Sequence, residues 1–272
     1  MSAGLPHPPR RPALITGASS GIGEATAVRM AAAGHPVALT SRRVERMEQT
    51  AERIRADGGE AVAVHLDLLD PDSPSRCVEA AVDAFGELEV LVSVAGDVLP
   101  TKAHTTEPEV FARQLRINLA AVQALVSRAV PAMVDRRRGD VVFVTSDVVR
   151  VPRPTMSSYV SSKWGLEGLA RAMQLELEGS GVRASIVRPG PTLTEMGSGF
   201  PPDTLGDLMD EWGRHGLMRH QGYLEADGVA RAVEFVVGAP RGTHFTIVEV
   251  EPEAPVVADS GAADTGNGTE RQ

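Results

Sequence analysis

Short apolar runs alternate with longer amphipathic segments along most of the chain. Each run is rich in Val, Ile, Leu and Ala and spans roughly four to six residues, the length of a buried strand. Between the runs, apolar residues recur at helical spacing over segments of roughly three or more turns. The pattern predicts strands at 13–16, 37–40, 62–66, 90–94, 141–145, 184–187 and 245–250, and helices at 23–33, 44–56, 75–85, 110–134, 157–178 and 226–237.

This alternation predicts the α/β class. A strand that leads through a helix to a parallel neighbour needs a right-handed crossover, and successive crossovers place helices on both faces of the sheet. We therefore expect a doubly wound parallel sheet of about seven strands, formed by one domain at residues 13–252. Residues 1–12, with four prolines, are expected to form a flexible N-terminal arm. Residues 253–272 lack large apolar side chains after Val257 and are expected to form a disordered tail.

Composition narrows the possible partners. The formal net charge of −9 disfavours binding to nucleic acid. No run approaches the ~18 uninterrupted apolar residues of a membrane span. We therefore expect neither nucleic acid nor a membrane as a partner. The single cysteine, Cys77, excludes an intrachain disulfide and a cysteine cluster for zinc. The histidines have no convincing ligand spacing. We expect a cytoplasmic protein that binds small molecules and no metal.

The longest interruption of the pattern is a segment at 192–225 that is punctuated by Gly, Pro and Asp. A connection of this length inside a compact fold is usually functional. It is either a mobile lid or a small helical insert that packs on the body of the protein, and both hypotheses can hold because a lid packs when it closes. Its larger apolar residues are Met196, Phe200, Leu205, Leu208, Met209, Trp212, Leu217, Met218 and Tyr223.

A glycine-rich turn lies between the first predicted strand and the first predicted helix, with glycines at Gly17, Gly21 and Gly23. Glycines let the backbone turn tightly and approach a diphosphate, and the helix that follows offers free N–H groups and the positive end of its dipole. Glycines at this spacing could also form an ordinary tight turn. Their position directly after a strand favours a dinucleotide site.

The residues after the second strand distinguish between dinucleotides. A carboxylate at this point binds the ribose 2′-hydroxyl of NAD, whereas a cation accommodates the 2′-phosphate of NADP. Here the sequence is Ser41-Arg42-Arg43, without an acid. Arg42 can bind a phosphate bidentately, and an arginine is otherwise disfavoured at the start of a helix. The predicted cofactor is NADP(H).

Tyr159 and Lys163 lie four positions apart in a predicted helix, so they share one face. Near the phenol of Tyr159, the ammonium of Lys163 would lower the phenol pKa from its ordinary value of about 10 and permit acid or base catalysis at neutral pH. Alone, either would more simply be an ordinary packed or solvated helix residue. Together with a dinucleotide-binding turn, the pair predicts a hydride-transfer enzyme.

The chain resembles the short-chain dehydrogenase/reductase family, in its compact single-domain form with a Rossmann-type sheet. The resemblance covers about residues 12–252. It rests on three motifs that occur in the family's order: Thr-Gly-x-x-x-Gly-x-Gly at 16–23, a serine at Ser146, and Tyr-x-x-x-Lys at 159–163. This combination is highly specific.

The resemblance implies a role for each catalytic candidate. Tyr159 would protonate the nascent alkoxide as hydride reaches the carbonyl carbon. Lys163 would lower the pKa of Tyr159 and bind the nicotinamide ribose, and Ser146 would donate a hydrogen bond to the substrate oxygen. Asn118 would hold a proton-relay water behind Lys163. Hydride would leave the pro-S face of the nicotinamide.

The resemblance also implies which residues hold the cofactor. Asp67 is similar to the residue that contacts the adenine ring. Pro189 and Gly190, followed by Thr194, are similar to the segment that holds the nicotinamide carboxamide. The full implied set is Gly17, Ser19, Ser20, Gly21, Ile22, Gly23, Ser41, Arg42, Arg43, Asp67, Leu68, Ala95, Gly96, Tyr159, Lys163, Pro189, Gly190, Thr192 and Thr194.

The chain departs from the family pattern at three places. Ser93 and Val94 replace two asparagines that usually tie the fourth strand to the cofactor region. Asp147 follows the catalytic serine where the family often has a small or apolar residue, and we expect its carboxylate to point to solvent rather than to the substrate. The C-terminal strand lacks the Asp-Gly-Gly sequence common in acyl-carrier-protein reductases of the family, which disfavours fatty-acid synthesis.

The leading hypothesis is an NADPH-dependent ketone reductase for a bulky apolar substrate such as a polycyclic polyketide, steroid or terpenoid, because the 192–225 segment is apolar. One alternative is a dehydrogenase of a secondary alcohol or 3-hydroxy acid. The other is a non-catalytic dinucleotide-sensing regulator, although such proteins commonly lose the tyrosine. Helices near 107–135 and 157–179 resemble those that pair subunits in the family, so a homodimer or homotetramer is expected.

Overall fold

The computed structural model describes residues 7–8, 10–196, 200–217, 220 and 222–255. The predicted tail lies outside the described residues from position 256 onward. Seven strands are formed by the described part of the chain. They are β1 (Ala13–Thr16), β2 (Val37–Ser41), β3 (Ala61–His65), β4 (Val90–Ser93), β5 (Gly139–Val144), β6 (Val182–Pro189) and β7 (Ile247–Val250).

Helices separate most of these strands. They are α1 (Gly21–Ala32), α2 (Val44–Ala56), α3 (Ser73–Phe85), α4 (Pro108–Leu115), α5 (Ala121–Asp135), α6 (Ser157–Glu176), α7 (Pro202–Arg214) and α8 (Ala226–Val237). A π-helical turn at Arg116–Ala120 joins α4 to α5, and a 3₁₀ turn at Asp147–Val149 follows β5. Two of the predicted helices, α2 and α8, have the predicted bounds.

The strands form one parallel sheet in the order β3-β2-β1-β4-β5-β6-β7. The strand order reverses at β1, because Ile15 of β1 pairs with Leu39 of β2 on one side and with Val92 of β4 on the other. In an open parallel sheet, ligands bind outside the carboxyl ends of the strands at this switch point. The predicted doubly wound, Rossmann-type sheet is therefore confirmed, and its topology places a crevice after β1 and β4.

Each face of the sheet carries its own hydrophobic core. Leu14 belongs to the core packed against α3, α5 and α6, whereas its neighbours Ala13 and Ile15 belong to the core packed against α1, α2 and α8. Successive side chains of a strand point to opposite faces, so a sheet covered on both sides requires uninterrupted apolar runs. This explains why the strands could be predicted from uninterrupted runs of apolar residues rather than from an alternation of apolar and polar residues.

The predicted helix at 110–134 is interrupted by the π-helical turn at Arg116–Ala120. Asn118 lies within this turn and is buried. Its side chain accepts a hydrogen bond from the backbone N–H of Asp97 at 2.8 Å and donates one to the backbone oxygen of the same residue at 2.9 Å. Asn118 makes these bonds from a local widening of the helix, which hydrophobic spacing cannot reveal.

The helical run Pro108–Asp135 is long and apolar enough to cross a membrane by length and composition alone. Half of its most apolar stretch is buried within the fold. Val122, Leu125 and Met133 from this run contribute to the core under the sheet. Packing against the sheet thus accounts for the buried half of this stretch.

The expectation of a flexible arm over residues 1–12 is wrong at its C-terminal end. The guanidinium of Arg11 is buried, donates to Glu89 at 2.6 Å and to the backbone oxygen of Val237 at 3.0 Å, and forms an ion pair with Asp140. These partners come from distant parts of the chain, so local composition gave no indication of them. Residues 1–6 and 9 lie outside the described part.

Candidate active site

A cleft of about 1160 Å³ opens at the carboxyl ends of the strands. The glycine-rich turn, Ser146, Tyr159 and the 192–225 insert all line it. Each residue that the sequence assigned to the cofactor also lines this cleft, so residues from every part of the sequence converge on one site. That set is Gly17, Ser19, Ser20, Gly21, Ile22, Gly23, Ser41, Arg42, Arg43, Asp67, Leu68, Ala95, Gly96, Tyr159, Lys163, Pro189, Gly190, Thr192 and Thr194.

The turn after β1 has room for glycine alone at two positions. Gly17 has a φ of +70°, which side-chain-bearing residues rarely adopt. A Cβ atom at Gly23 would lie 2.3 Å from the carbonyl oxygen of Gly17. The turn therefore folds back tightly on the start of α1, and its backbone is open to a ligand at the N-terminus of that helix.

Thr16 joins this turn to the end of β4. Its hydroxyl accepts hydrogen bonds from the backbone N–H groups of Val94 and Ala95, both at 2.9 Å. Ser93, where the family usually has asparagine, is buried, and within the described residues its hydroxyl has no hydrogen-bond partner. Thr16 thus ties the two strand ends together without the two missing amides.

Arginines after β2 occupy the end of the cleft where the adenosine is expected. Arg43 donates from Nε to the hydroxyl of Ser19 at 3.0 Å and from Nη2 to that of Ser20 at 2.8 Å. Its third contact is an ion pair with Glu195 at 2.6 Å. Arg42 is exposed and also lines the cleft. The sequence indicates Arg42 as the residue that binds the 2′-phosphate, whereas Arg43 is the arginine that contacts the glycine-rich turn in the structure.

Glu195 was not predicted as a site residue. Its carboxylate is held by Arg43 and by Arg46, whose Nη1 lies 2.7 Å from the second oxygen. These two hydrogen bonds lower the pKa of Glu195 to about 2. The interaction joins residues about 150 positions apart, so no sequence pattern could have revealed it.

The remaining cofactor candidates are held largely by backbone contacts. The carboxylate of Asp67 accepts a hydrogen bond from the backbone N–H of Leu69 at 3.0 Å, which fixes the turn after β3. The backbone N–H of Gly190 donates to Val250 at 2.8 Å, and the hydroxyl of Thr192 donates to the oxygen of Gly190 at 2.9 Å. The segment after β6 is therefore anchored beside β7, where its residues line the cleft.

The catalytic candidates lie at the other end of the cleft. Tyr159 and Lys163 are buried on α6, and the ammonium nitrogen of Lys163 is 5.7 Å from the centre of the tyrosine ring. That nitrogen donates to the backbone oxygen of Val144 at 3.0 Å. Ser146, just after β5, lines the same end of the cleft, and its side chain is close enough to the phenol of Tyr159 to affect the phenol pKa. The structure brings these three predicted residues together.

Asn118 does not line the cleft but lies behind it. One of its amide hydrogens is donated to the hydroxyl of Ser162 at 2.9 Å, and that hydroxyl donates to the backbone oxygen of Tyr159 at 2.7 Å. The amide thus supports the turn of α6 that carries the tyrosine. Its role with a relay water stays a prediction.

The pKa of the tyrosine differs from the sequence-based expectation. Burial raises the pKa of Tyr159 to about 12, while the nearby side chain of Ser146 acts in the opposite direction. Burial also lowers the pKa of Lys163 to about 8. The expectation of a lowered phenol pKa is therefore wrong for this structure, because burial disfavours the charged phenolate. At neutral pH the phenol keeps its proton.

The expectation that Asp147 points to solvent is also wrong. Its side chain is 15% exposed and forms an ion pair with Arg153, whose side chain is 10% exposed. One carboxylate oxygen also accepts a hydrogen bond from the hydroxyl of Ser146 at 3.1 Å. Sequence analysis missed Arg153 because it lies in an irregular loop without periodicity.

The insert contributes an apolar wall to the cleft. Phe200 and Trp212 pack against a small cluster that includes Met156 and Tyr159. Of its apolar residues, Met218 lies outside the described part of the chain. Those that line the cleft are Met196, Phe200, Leu205, Leu208, Met209, Trp212, Leu217 and Tyr223.

Comparison with known proteins gives a consistent picture. A model of the short chain dehydrogenase family matches residues 11–204. The glycine betaine reductase ATRR of Emericella nidulans is 30% identical over 240 residues, 88% of this chain and 18% of that protein. The short chain dehydrogenase MYCFIDRAFT_6125 of Pseudocercospora fijiensis is 32% identical over 196 residues, 71% of this chain and 62% of that protein. The chain therefore spans less than two thirds of both relatives.

A solved structure with a similar fold is an alcohol dehydrogenase from the archaeon Thermococcus sibiricus, in complex with 5-hydroxy-NADP. It is 28% identical, with a TM-score of 0.76, and the match covers 89% of this chain and 96% of that one. The similarity thus extends over most of this chain and nearly all of that one.

Proposed function

The chain belongs to the short-chain dehydrogenase/reductase family, and on that premise we propose that it is an NADPH-dependent ketone reductase for a bulky apolar substrate. As a member of the family it is an oxidoreductase that uses a nicotinamide dinucleotide and acts on a small molecule. The observation that carries the proposal is the convergence of Ser146, Tyr159 and Lys163 at one end of a cleft whose other end holds two arginines and a glycine-rich turn.

The residues of the cleft fit a dinucleotide. The backbone at Gly23 is so close to Gly17 that a side chain there would collide with the backbone of the turn, and a diphosphate is favoured at the N-terminus of α1. Arg42 and Arg43 would hold a 2′-phosphate, and no acid stands at the end of β2 to favour NAD. The similar archaeal enzyme in complex with 5-hydroxy-NADP supports the same choice.

A bound reduced nicotinamide supplies hydride to the carbonyl carbon. Tyr159 then donates its phenolic proton to the oxygen that becomes negative, and the high pKa of the buried phenol keeps this proton in place at neutral pH. The transfer is favourable despite that pKa, since an alkoxide is a much stronger base than a phenolate. Ser146 offers a hydrogen bond to the same oxygen, and Lys163 offers its ammonium to the nicotinamide ribose.

The surroundings of Tyr159 support an apolar substrate. Val98, Val148 and Met156 form a buried cluster with the tyrosine ring, and Phe200 and Trp212 from the insert pack on it. Such a wall binds rings and alkyl groups by burying their surface, but it offers few hydrogen bonds to a sugar. We propose that the insert covers a cyclic ketone here.

The proposal is tested by turnover. Purified protein is mixed with NADPH or NADH and a panel of bulky cyclic and small polar ketones, and the loss of reduced-cofactor absorbance is followed. We expect NADPH-dependent reduction of bulky ketones by the wild type and none by Tyr159→Phe. Turnover confined to oxidation of secondary alcohols or 3-hydroxy acids would favour the dehydrogenase alternative. Tight NADPH binding without turnover of any substrate would favour a dinucleotide sensor.

A further inference from the structure

The loop before α6 is fastened to helix α7 of the insert by three successive residues. The guanidinium carbon of Arg153 lies 5.5 Å from the centre of the Trp212 ring. The indole N–H of Trp212 donates to the backbone oxygen of Pro154 at 3.1 Å, and the hydroxyl of Thr155 donates to Glu211 at 2.6 Å. One turn of α7 therefore holds the whole 153–155 loop.

The backbone of this loop is strained. Thr155 has a φ of +60°, in the left-handed region, although a β-branched side chain disfavours it strongly. Such a conformation persists only where the surroundings hold the residue in place, and it is commonly found at functional sites. Besides the bond to Glu211, the backbone oxygen of Thr155 accepts from the N–H of Thr101 at 2.8 Å. The position of Arg153 is thus fixed from both sides.

From this fixed position Arg153 reaches the catalytic serine through Asp147. Both terminal nitrogens of the guanidinium contact the carboxylate, one of them at 3.0 Å. The oxygen that accepts this bond also accepts the hydroxyl proton of Ser146 at 3.1 Å. Both charged side chains are largely buried, where electrostatic interactions are strong because water screens them little.

A serine hydroxyl has one proton, which it gives either to Asp147 or to the substrate oxygen. An unpaired carboxylate would keep that proton and would repel the negative charge that develops on the substrate. Pairing with Arg153 weakens both effects. We propose that the buried Asp147–Arg153 ion pair, anchored on Trp212 of α7, is a positioning device that holds the Ser146 hydroxyl and releases it to the substrate oxygen. The inference rests on the proposed function of the cleft.

The device has a consequence at the neighbouring phenol. Asp147 raises the pKa of Tyr159 and Arg153 lowers it. The ammonium of Lys163 on the same helix lies 5.7 Å from the centre of the tyrosine ring, and Glu211 on α7 is bound to the loop through Thr155. Removing Arg153 alone should favour the neutral phenol, removing Asp147 alone should favour phenolate, and removing both should restore the original balance.

This can be measured without substrate or cofactor, because the chain has two tyrosines, Tyr159 and Tyr223. In a Tyr223→Phe background, near-ultraviolet phenolate absorbance reports Tyr159 alone. At the pH where that background is half ionised, we expect less phenolate in Arg153→Met, more in Asp147→Asn, and a restored value in the double variant. Circular dichroism at the same pH checks that each variant is folded, and Arg171→Met, which removes an exposed charge elsewhere on α6, is the matched control.

Turnover gives the second measurement. Arg153→Met is expected to lower kcat roughly tenfold or more, by analogy with the loss of one oxyanion donor. KM should change little. Adding Asp147→Asn to this variant should restore kcat. Equal phenolate fractions in all the variants, or a double variant no better than Arg153→Met, would overturn the inference. If the wild-type protein turns over no substrate, the proposed function is contradicted. The phenolate measurement, which needs no substrate, then still tests the Asp147–Arg153 ion pair.

Discussion

Arg43 donates a hydrogen bond from Nη1 to the carboxylate of Glu195 at 2.6 Å. Through this contact and the matching one from Arg46, the segment after β6 is joined to the end of β2. Arg43 is also one of the two arginines proposed to hold the 2′-phosphate of NADPH. The carboxylate of Glu195 and that phosphate would therefore compete for the same guanidinium group.

Replacing Glu195 with glutamine is expected to increase the affinity for NADPH about two- to fivefold, since an exposed ion pair is weakened by solvent and competes only modestly with a phosphate. The affinity for NADH, which lacks the phosphate, should stay unchanged. Fluorescence titration of both cofactors measures this. Glu48→Gln is the matched control because Glu48 forms a similarly exposed pair with Arg55 away from the cleft. An equal gain for both cofactors would contradict the competition.

Arg42→Ala is expected to weaken NADPH binding roughly tenfold or more, as a hydrogen bond to a charged group contributes about 1.5–3 kcal/mol. NADH binding should change little. The comparison is made by equilibrium titration, with Arg231→Ala, an exposed arginine on α8, as the control. If Arg42→Ala lowers both affinities alike, the arginine supports the fold of the turn rather than the choice of cofactor.

Lys163 gives a prediction about pH and stability. Its pKa is about 8 in the folded protein and near the ordinary ~10.4 in the unfolded chain, so between these values the unfolded chain binds more protons. The free energy of unfolding therefore gains a positive slope with pH in this window. Urea denaturation at several pH values measures the free energy of unfolding of Lys163→Met and of the wild type. The value for Lys163→Met minus that for the wild type should decrease as the pH rises from about 8 to about 10. A constant difference would contradict the shifted pKa.

The buried guanidinium of Arg11, at the end of the expected N-terminal arm, gives a prediction about stability. Arg11→Met would leave the buried carboxylates of Glu89 and Asp140 without one of their cations, and breaking a buried pair in this way costs about 3–5 kcal/mol. For a chain of this size that lowers Tm by roughly 10 °C. Arg10→Met is the control, because the pair between Arg10 and Glu60 is exposed and contributes about 1 kcal/mol or less. Equal shifts in Tm for the two variants would show that burial of Arg11 has no special importance.

The sheet and the glycine-rich turn could be predicted because their causes are local. The apolar runs at β1 and β4 are needed by strands covered on both faces, and the glycine positions follow from the tight contact of Gly23 with Gly17. The spacing of Tyr159 and Lys163 likewise places them on one face of α6. Family resemblance then named the cofactor residues, and the fold places them along one cleft.

Contacts between distant residues could not be predicted. The ion pair of Asp147 with Arg153 depends on an irregular loop that α7 holds in a strained conformation. The contact between Arg43 and Glu195 joins two ends of the site that only the folded sheet brings together. The phenol pKa was mispredicted for the same reason, since burial of Tyr159 is a property of the packed structure rather than of the helix alone.

The most direct measurement of the central claim follows the hydride itself. NADPH carrying deuterium at the pro-S position is incubated with the protein and a bulky cyclic ketone, and the product is analysed by mass spectrometry and NMR. We expect one deuterium on the carbinol carbon with wild-type protein and no product with Tyr159→Phe. Product without deuterium, or the same labelled product from Tyr159→Phe, would contradict hydride transfer with Tyr159 as the proton donor.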